Sequence, residues 1–451
     1  MTIALLDVPR CLNVDASYVG PPRALAMADG RPSPWTEALP HRGTIAYREQ
    51  AVTECLDTVA VLRSYREPQE GETWQAPAAS ERRLLAQVNA IIALGPDALH
   101  RAIALSLDAD VPDPGRVFAA AFALGCVEGR RWLDPLRRIF VDAAARNSAE
   151  AAAAIEALSL CPNAEVVSFL VSLVGDERSG IRASATRVLA FRGALSESQW
   201  NDAVADRDRA VVAAALSAPL HSYDPTACGG ALQSVLERDA DSETLTRLAL
   251  RAGLTLNLDA AYVRAYEIVR TDPAWAGVAR CLALVGDLSE ARVREMLDGP
   301  HVLEGVRAAA ILGSLDLVPD LLELLDRTDS PPETASASKH GLATITGLDF
   351  VSTESAGQAL GLWSQHSSGF PSGARYRHGQ PWSLDVLMQS LRTGPCARNI
   401  RQDVYFEMLV ATRSHVPRFS AYDFVAVQLE ALRQIERWLV DEPAKRRVSG
   451  N

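Results

Sequence analysis

The residues best able to act chemically are eight histidines and seven cysteines, and both types are dispersed along the chain. Nucleophilic catalysis needs a Ser or Cys beside a His that a carboxylate orients. The sequence contains no G-x-S-x-G, H-E-x-x-H, C-x-x-C or G-x-x-x-x-G-K-[ST] pattern, which are the short motifs of hydrolase, zinc and nucleotide sites. We therefore predict no catalytic residue, no metal site and no cofactor, and expect that the protein is not an enzyme.

One eight-residue stretch near the C-terminus concentrates two arginines, a histidine and two aromatic residues. Arg, Tyr and Trp side chains are the usual anchors of protein interfaces, and aromatic rings also stack on bases. The alternative is a connecting loop that folds against the C-terminal region, with Gly379 and Pro381 making its turn. The predicted partner-binding residues are Arg375, Tyr376, Arg377, His378 and Trp382.

Asp176 and Arg182 form the most regular polar pair of the sequence. The pair could bind an anionic ligand. The favoured interpretation is structural, because an Asp that caps a hairpin turn and an Arg that bridges to the next hairpin belong at those positions.

Both residues lie in the segment Ala164 to Gly193, which predicts two short helices joined by a tight turn. Val166, Leu170, Leu173 and Val174 share one face of the first helix, and Ile181, Ala185, Val188 and Leu189 repeat that spacing on the second. Helices of this length are unstable alone, so the hairpin needs neighbours stacked on both sides.

Three predicted second helices share an Arg, two or three alanines, an aliphatic residue and a closing Gly: 115–125, 180–193 and 305–313. Small residues allow close helix packing, and we expect each Gly to end its helix. About seven such pairs predict an all-α fold, an α-solenoid of helical hairpins.

Less regular segments lie on both sides of the hairpins, so the sequence pattern predicts four regions. Residues 1–46 are a Pro-rich, loop-rich N-terminal arm, and residues 47–80 are an N-terminal helix and a polar linker. Residues 81–350 form the solenoid. Residues 351–451 form a long polar connection followed by a helical C-terminal cap.

The motif D-x-x-x-x-[VI]-R-x-x-A, present from Asp176 to Ala185, resembles HEAT repeats, including the alanine-rich repeats of bilin-lyase-like proteins. The segment Ile345–Asp349 and the later R-Y-R-H-G-Q-P element resemble an uncharacterised bacterial HEAT-repeat family that is sometimes encoded beside type VI secretion genes. The resemblance implies a HEAT-like solenoid and a type VI secretion context. It supplies no catalytic residues.

Composition narrows the function further. A net charge of −11 and a pI near 5.3 disfavour a general nucleic-acid surface. No run approaches a membrane span, no signal peptide is evident, and scattered cysteines fit a reducing compartment, so we expect a cytoplasmic location.

Stacked hairpins give an extended surface without a convergent pocket, so the expected function is a protein-binding scaffold or adaptor. The family resemblance implies a role for it as a type VI secretion accessory, effector chaperone or immunity-like protein. Two alternatives stay open. One is an enzyme handling a chromophore or small molecule, as in bilin-lyase HEAT proteins. The other is nucleic-acid binding through a concave, Arg-lined groove.

Overall fold

A computed structural model describes residues 42–69, 72–108, 113–146, 148–218, 223–271, 276–327, 332–371, 373–393 and 397–441. Those residues form 22 α-helices and one two-stranded antiparallel ribbon, so the all-α prediction is confirmed. The predicted N-terminal arm lies, up to residue 41, outside the described residues. The chain divides into two compact units.

The first unit comprises residues 1–219 together with 396–398 and 420–431. Its complete helices are α1 (Arg42–Ser64), α2 (Ala78–Ala93), α3 (Pro96–Ser106), α4 (Pro114–Gly125), α5 (Leu133–Arg146), α6 (Ser148–Leu160), α7 (Val166–Leu173), α8 (Ser179–Arg192), α9 (Glu197–Val204) and α10 (Arg209–Leu216).

The second unit comprises residues 220–395, 399–419 and 432–451. Its helices are α11 (Pro225–Arg238), α12 (Glu243–Thr255), α13 (Asp259–Thr271), α14 (Ala276–Leu284), α15 (Glu290–Leu297), α16 (Val302–Leu312), α17 (Val318–Glu323), α18 (Pro332–Thr346), α19 (Ala356–His366), α20 (Leu384–Thr393) and most of α21 (Arg398–Ala411). The division falls within α22 (Val425–Asp441), at residue 431.

The predicted hairpin at 164–193 corresponds to α7 and α8. The inward residues predicted for it are at most 1% exposed, except for the half-buried Val174 at the end of α7. Within each unit the second helix of a hairpin packs against the second helix of the next: α4 on α6, α8 on α10, α12 on α14, and α14 on α16. These neighbour contacts are typical of stacked helical hairpins. The solenoid and its HEAT character stay predictions.

Two of the three closing glycines end their helices as expected. Gly193 and Gly313 follow α8 and α16 in the left-handed conformation, with φ of 63° and 71°. Gly125 instead is the last residue of α4, and Cys126 caps that helix. A Cβ at Gly125 would lie 2.6 Å from the Cβ of Cys161, so this Gly is required by close packing.

Several element boundaries differ from the prediction. Helix α1 begins at Arg42 rather than Tyr47, and α2 begins at Ala78, before residue 81. The linker between them is not wholly solvated, because Trp74 is 3% exposed. The polar connection contains α19, which the sequence pattern did not predict because its residues bury little: among them only Ala359 is fully buried.

The first unit contains a buried ion pair between Arg66 and Glu81, which are 2% and 4% exposed. Glu156 also accepts a hydrogen bond from Arg66, at 2.5 Å. The second carboxylate oxygen of Glu81 accepts the backbone N–H of Val425 at 2.8 Å, at the start of α22. Segment 420–431 is therefore attached to the early helices by backbone and charge together.

Candidate partner-binding surface

The predicted partner-binding stretch folds as a tight β-hairpin in the second unit. Strand β1 (Tyr376–Arg377) pairs antiparallel with β2 (Gln380–Pro381). His378 and Gly379 make the turn, with φ of 51° and 76°. Two successive positive φ values are the signature of the two-residue hairpin turn that suits the twist of the strands.

The hairpin covers the C-terminal ends of α16 and α18. The backbone N–H of Tyr376 donates to the carbonyl of Gly313 at 2.8 Å, and the N–H of His378 donates to Thr344 at 2.6 Å. Carbonyls at a helix C-terminus have no partner within the helix, so the hairpin supplies the missing donors. A Cβ at Gly313 would lie 2.3 Å from the carbonyl oxygen of Tyr376, which shows how closely the two segments approach.

Three side chains of the hairpin region converge on one buried carboxylate, that of Glu407 on α21, which is 1% exposed. Arg375 donates to Oε1 at 3.1 Å and Arg377 donates to Oε2 at 2.9 Å. The indole N–H of Trp382 also donates to Oε1. A single Glu thus accepts hydrogen bonds from two guanidinium groups and a ring N–H, which fixes α21 against the hairpin.

The same arginines bind carbonyls at the ends of α14 and α16. Arg375 donates to Leu312 at 2.9 Å and to Ala283 at 3.4 Å, and Arg377 donates to Ile311 at 3.2 Å. Positive charge is favourable there because the helix dipole is negative at its C-terminus. Burial lowers the pKa of Arg375, and the charge of Arg377 lowers it further, while Glu407 opposes both.

The five predicted residues therefore differ in how much surface they offer. Tyr376 and Arg377 are buried, and the Tyr376 hydroxyl donates to Pro371 at 2.9 Å. Arg375 and Trp382 are half-buried, and His378 is exposed. Desolvation of its ring and the charge of Arg377 lower the pKa of His378. Partner binding by this stretch stays a prediction, and its accessible part is His378 with portions of Arg375 and Trp382.

The predicted turn pair lies in the first unit. The carboxylate of Asp176 accepts the backbone N–H of Arg178 at 3.0 Å, within the turn before α8. Arg182 donates to the backbone carbonyl of Asp176 at 2.9 Å, and its guanidinium pairs with Asp206 of the following hairpin at 2.9 and 3.0 Å. Asp206 accepts the N–H of Asp208, as Asp176 accepts that of Arg178, so the arrangement repeats.

A groove in the second unit lies between α13 and α15, and we call it the α13–α15 groove. Its volume is about 610 Å³ and it is open to solvent. Its most exposed apolar side chains are Val263 and Tyr266, at 57% and 45%. Leu288 and Ala291 form part of the opposite wall. An exposed aliphatic and an exposed aromatic side chain in one groove is a common feature of protein-binding surfaces.

Charged residues surround this apolar floor. Glu267 pairs with Arg264 at 3.3 Å, and Glu295 pairs with Arg292. Arg270 also lines the groove and is exposed. The pattern of an apolar centre with a charged rim is that of an interface rather than of a closed ligand pocket.

A smaller polar pocket of about 340 Å³ adjoins the groove, since Leu288 and Ser289 line both. Arg375 lines this pocket together with Glu290 and Asp316. Arg375, a member of the predicted set, thus borders a concave surface next to the groove. Desolvation raises the pKa of the nearby Asp287, and the charge of Arg375 opposes part of that shift.

Sequence reasoning missed Val263 and Tyr266. Their signal is present, since Val263, Tyr266 and Arg270 follow a helical spacing of three and four, opposite the buried Ala261 and Ala265. A helix with apolar residues on its outer face as well as its core face departs from the usual amphipathic pattern. Recognising the outer face requires knowing which stripe is buried.

No group of three or more His, Cys, Asp and Glu side chains in the described part of the chain is arranged to hold a metal ion. Among the described helices, none combines the length and hydrophobicity needed to cross a membrane. Neither the protein-family models nor the curated proteins compared with this chain give a match.

Proposed function

We propose that the protein is a cytoplasmic, protein-binding helical-repeat scaffold whose second unit receives a partner segment in the α13–α15 groove. The observation that carries the proposal is the exposure of Val263 and Tyr266 on the floor of an open groove with a charged rim. Burying these two side chains against a partner would remove apolar surface from water, at about 25 cal/mol per Å². The rim would supply orientation and specificity.

The family resemblance extends the proposal to a biological context. A scaffold encoded beside secretion genes would act as a type VI accessory, an effector chaperone or an immunity-like partner. These three roles share one requirement, a stable complex with a second protein. His378 is exposed at the tip of the hairpin, and we propose it as a second contact for such a partner.

Site-specific photo-crosslinking in the native host tests the groove. A photoreactive phenylalanine replaces Tyr266, and a matched control replaces Tyr47, which is 70% exposed on α1 in the first unit. We expect a discrete protein adduct at position 266, identified by mass spectrometry, that is absent at position 47. The adduct should also disappear in a Val263→Asp background.

A different set of results would contradict the proposal. Identical adducts at both positions would mean non-specific contact. A small molecule that co-purifies stoichiometrically, with no protein adduct, would point to ligand handling instead. Far-UV circular dichroism of Val263→Asp guards against loss of fold, which is not expected because the side chain is 57% exposed.

A further inference from the structure

Two arginines and two glutamates line the α13–α15 groove, and one of these arginines has no acidic partner among the described residues. Glu267 is paired with Arg264, and Glu295 is paired with Arg292. Arg270 lines the same groove, and among the described residues it has no hydrogen-bond or ion-pair partner. Both rim carboxylates are thus paired, and one guanidinium remains available.

A second donor in the groove also lacks an acceptor. The Nε–H of Arg292 is buried and makes no hydrogen bond, although Nη1 of the same side chain contacts Glu295. Because that nitrogen is buried, a partner lying in the groove cannot reach it, and another nitrogen of Arg292 is already paired with Glu295. Arg270 is therefore the guanidinium group of the groove that can still receive an acceptor.

We infer that the partner segment is acidic and apolar: a short stretch of another protein in which an apolar or aromatic side chain lies within one helical turn of an Asp or Glu. This inference rests on the proposed function. The apolar side chain would contact Val263 and Tyr266, and the carboxylate would accept from Arg270. Arg is suited to carboxylates because its planar donors can bind both oxygens.

The net negative charge of the chain limits where an acidic partner can bind. The net charge is −11, so an acidic partner is repelled by most of the surface and attracted where arginines are unpaired. A nucleic acid would also satisfy the arginines through phosphate oxygens. It offers no aliphatic side chain for the exposed Val263, so the apolar floor favours a polypeptide.

The test uses the purified full chain as bait for a phage library of random 12-residue peptides. Enriched peptides are synthesised with a fluorophore, and their affinities are measured by fluorescence anisotropy. We expect an Asp or Glu within four residues of Leu, Ile, Phe or Trp in the enriched set. We expect Arg270→Glu to weaken binding about tenfold, because reversal removes an attraction and adds a repulsion.

Arg307→Glu is the matched control, since it makes the same charge change in the second unit at an exposed residue that does not line the groove, and its partner Glu304 does not line it either. It should leave the affinity for the peptide within about twofold of wild type, because an exposed ion pair outside the groove contributes little to binding there. A peptide with its Asp changed to Lys should recover affinity for Arg270→Glu while losing it for the wild type.

The outcomes separate the inference from the proposed function. Peptides that depend on Val263 but bind equally well to Arg270→Glu would overturn the acidic-partner inference and leave the groove as a binding site. Peptides insensitive to Val263→Asp as well, or no enrichment at all, would overturn both. Tight binding of a fluorescent single-stranded DNA that Arg270→Glu abolishes would replace the acidic peptide with a nucleic acid.

Discussion

Removing Glu407 is the perturbation that most directly tests how the hairpin is held. Glu407→Ala leaves Arg375 and the 5%-exposed Arg377 without their carboxylate. Breaking a buried ion pair by deleting one partner costs about 3–5 kcal/mol, because the remaining charge stays desolvated. We therefore expect the free energy of unfolding of the second unit to fall by about that amount.

Arg377→Ala should cost less. Glu407 keeps Arg375 and the indole of Trp382, so the change removes one charge-assisted hydrogen bond at 2.9 Å and one to a carbonyl at 3.2 Å. Hydrogen bonds to charged groups contribute about 1.5–3 kcal/mol. The double variant should lose less stability than the sum of the two single losses, because both substitutions remove the same ion pair.

The assay combines urea unfolding, followed by far-UV circular dichroism, with hydrogen–deuterium exchange of peptides covering 373–382. Exchange reads the hairpin directly, because local opening exposes the N–H groups of Tyr376 and His378 that now donate to helix ends. His378→Asn is the control, since Asn tolerates the positive φ of 51° and the ring is exposed. It should change neither measurement.

The relative size of the stability losses shows whether Arg377 stabilises the fold. If Arg377→Ala is as harmless as His378→Asn, the guanidinium does not stabilise the hairpin against α21, and the sequence-based interpretation of Arg377 as a partner contact gains support. A larger loss for Arg377→Ala than for Glu407→Ala would contradict the assignment of Glu407 as the centre of the cluster.

Three further predictions concern the scaffold. Leu170→Ala should cost about 2–5 kcal/mol in urea unfolding, since Leu170 is fully buried, whereas Val171→Ala, at a position 36% exposed, should be nearly neutral. Gly361→Ala should raise the free energy of unfolding by about 0.5–1 kcal/mol, since a Cβ there meets no atom within 4 Å and Ala favours helix; a loss would mean that α19 is not helical as described. Burial tends to raise the pKa of Asp206, but hydrogen bonds from Arg182 and from the backbone lower it on balance, so the folded state binds its proton more weakly than the unfolded state. The stability this provides is present above the ordinary Asp pKa and is lost as pH falls below about 4, so the deficit of Asp206→Asn at pH 7 should shrink in acid melts, and a deficit that grows in acid would contradict the pairing.

The sequence predicts the regular hairpins well and the irregular segments poorly, for a physical reason. In α7 and α8 the buried positions recur at helical spacing, so the core face can be read from residue types alone. Helix α19 has two glycines and a single fully buried residue, so local preference and burial both give a weak signal. The sequence pattern predicts that Gly125 ends a helix. Its observed role is to allow close packing against Cys161 of another hairpin, and that contact cannot be read from the local sequence.

The same limit applies to the partner-binding prediction. The residue types of this stretch suit a buried polar cluster as well as they suit an interface, and this holds for Arg375, Tyr376 and Arg377. For Arg377, the ion pair with Glu407 identifies a buried polar contact rather than an exposed interface residue. Glu407 lies thirty positions away on α21. Pairing between such distant positions depends on the tertiary fold, which periodicity does not encode.

Helix α21 covers part of the second-helix face of the second unit. Phe406 on α21 packs in an apolar cluster with Leu254 and Cys281, which belong to α12 and α14. The guanidinium of Arg251 lies 4.1 Å from the ring of Phe406 and pairs with Asp403 of the same helix at 2.7 Å. The chain therefore covers part of its own second-helix face with α21, which contributes an aromatic ring and a carboxylate to the contact. First helices α13 and α15 keep exposed apolar residues, and a partner that also combines acidic and apolar side chains would use on them the chemistry that α21 already uses beside them.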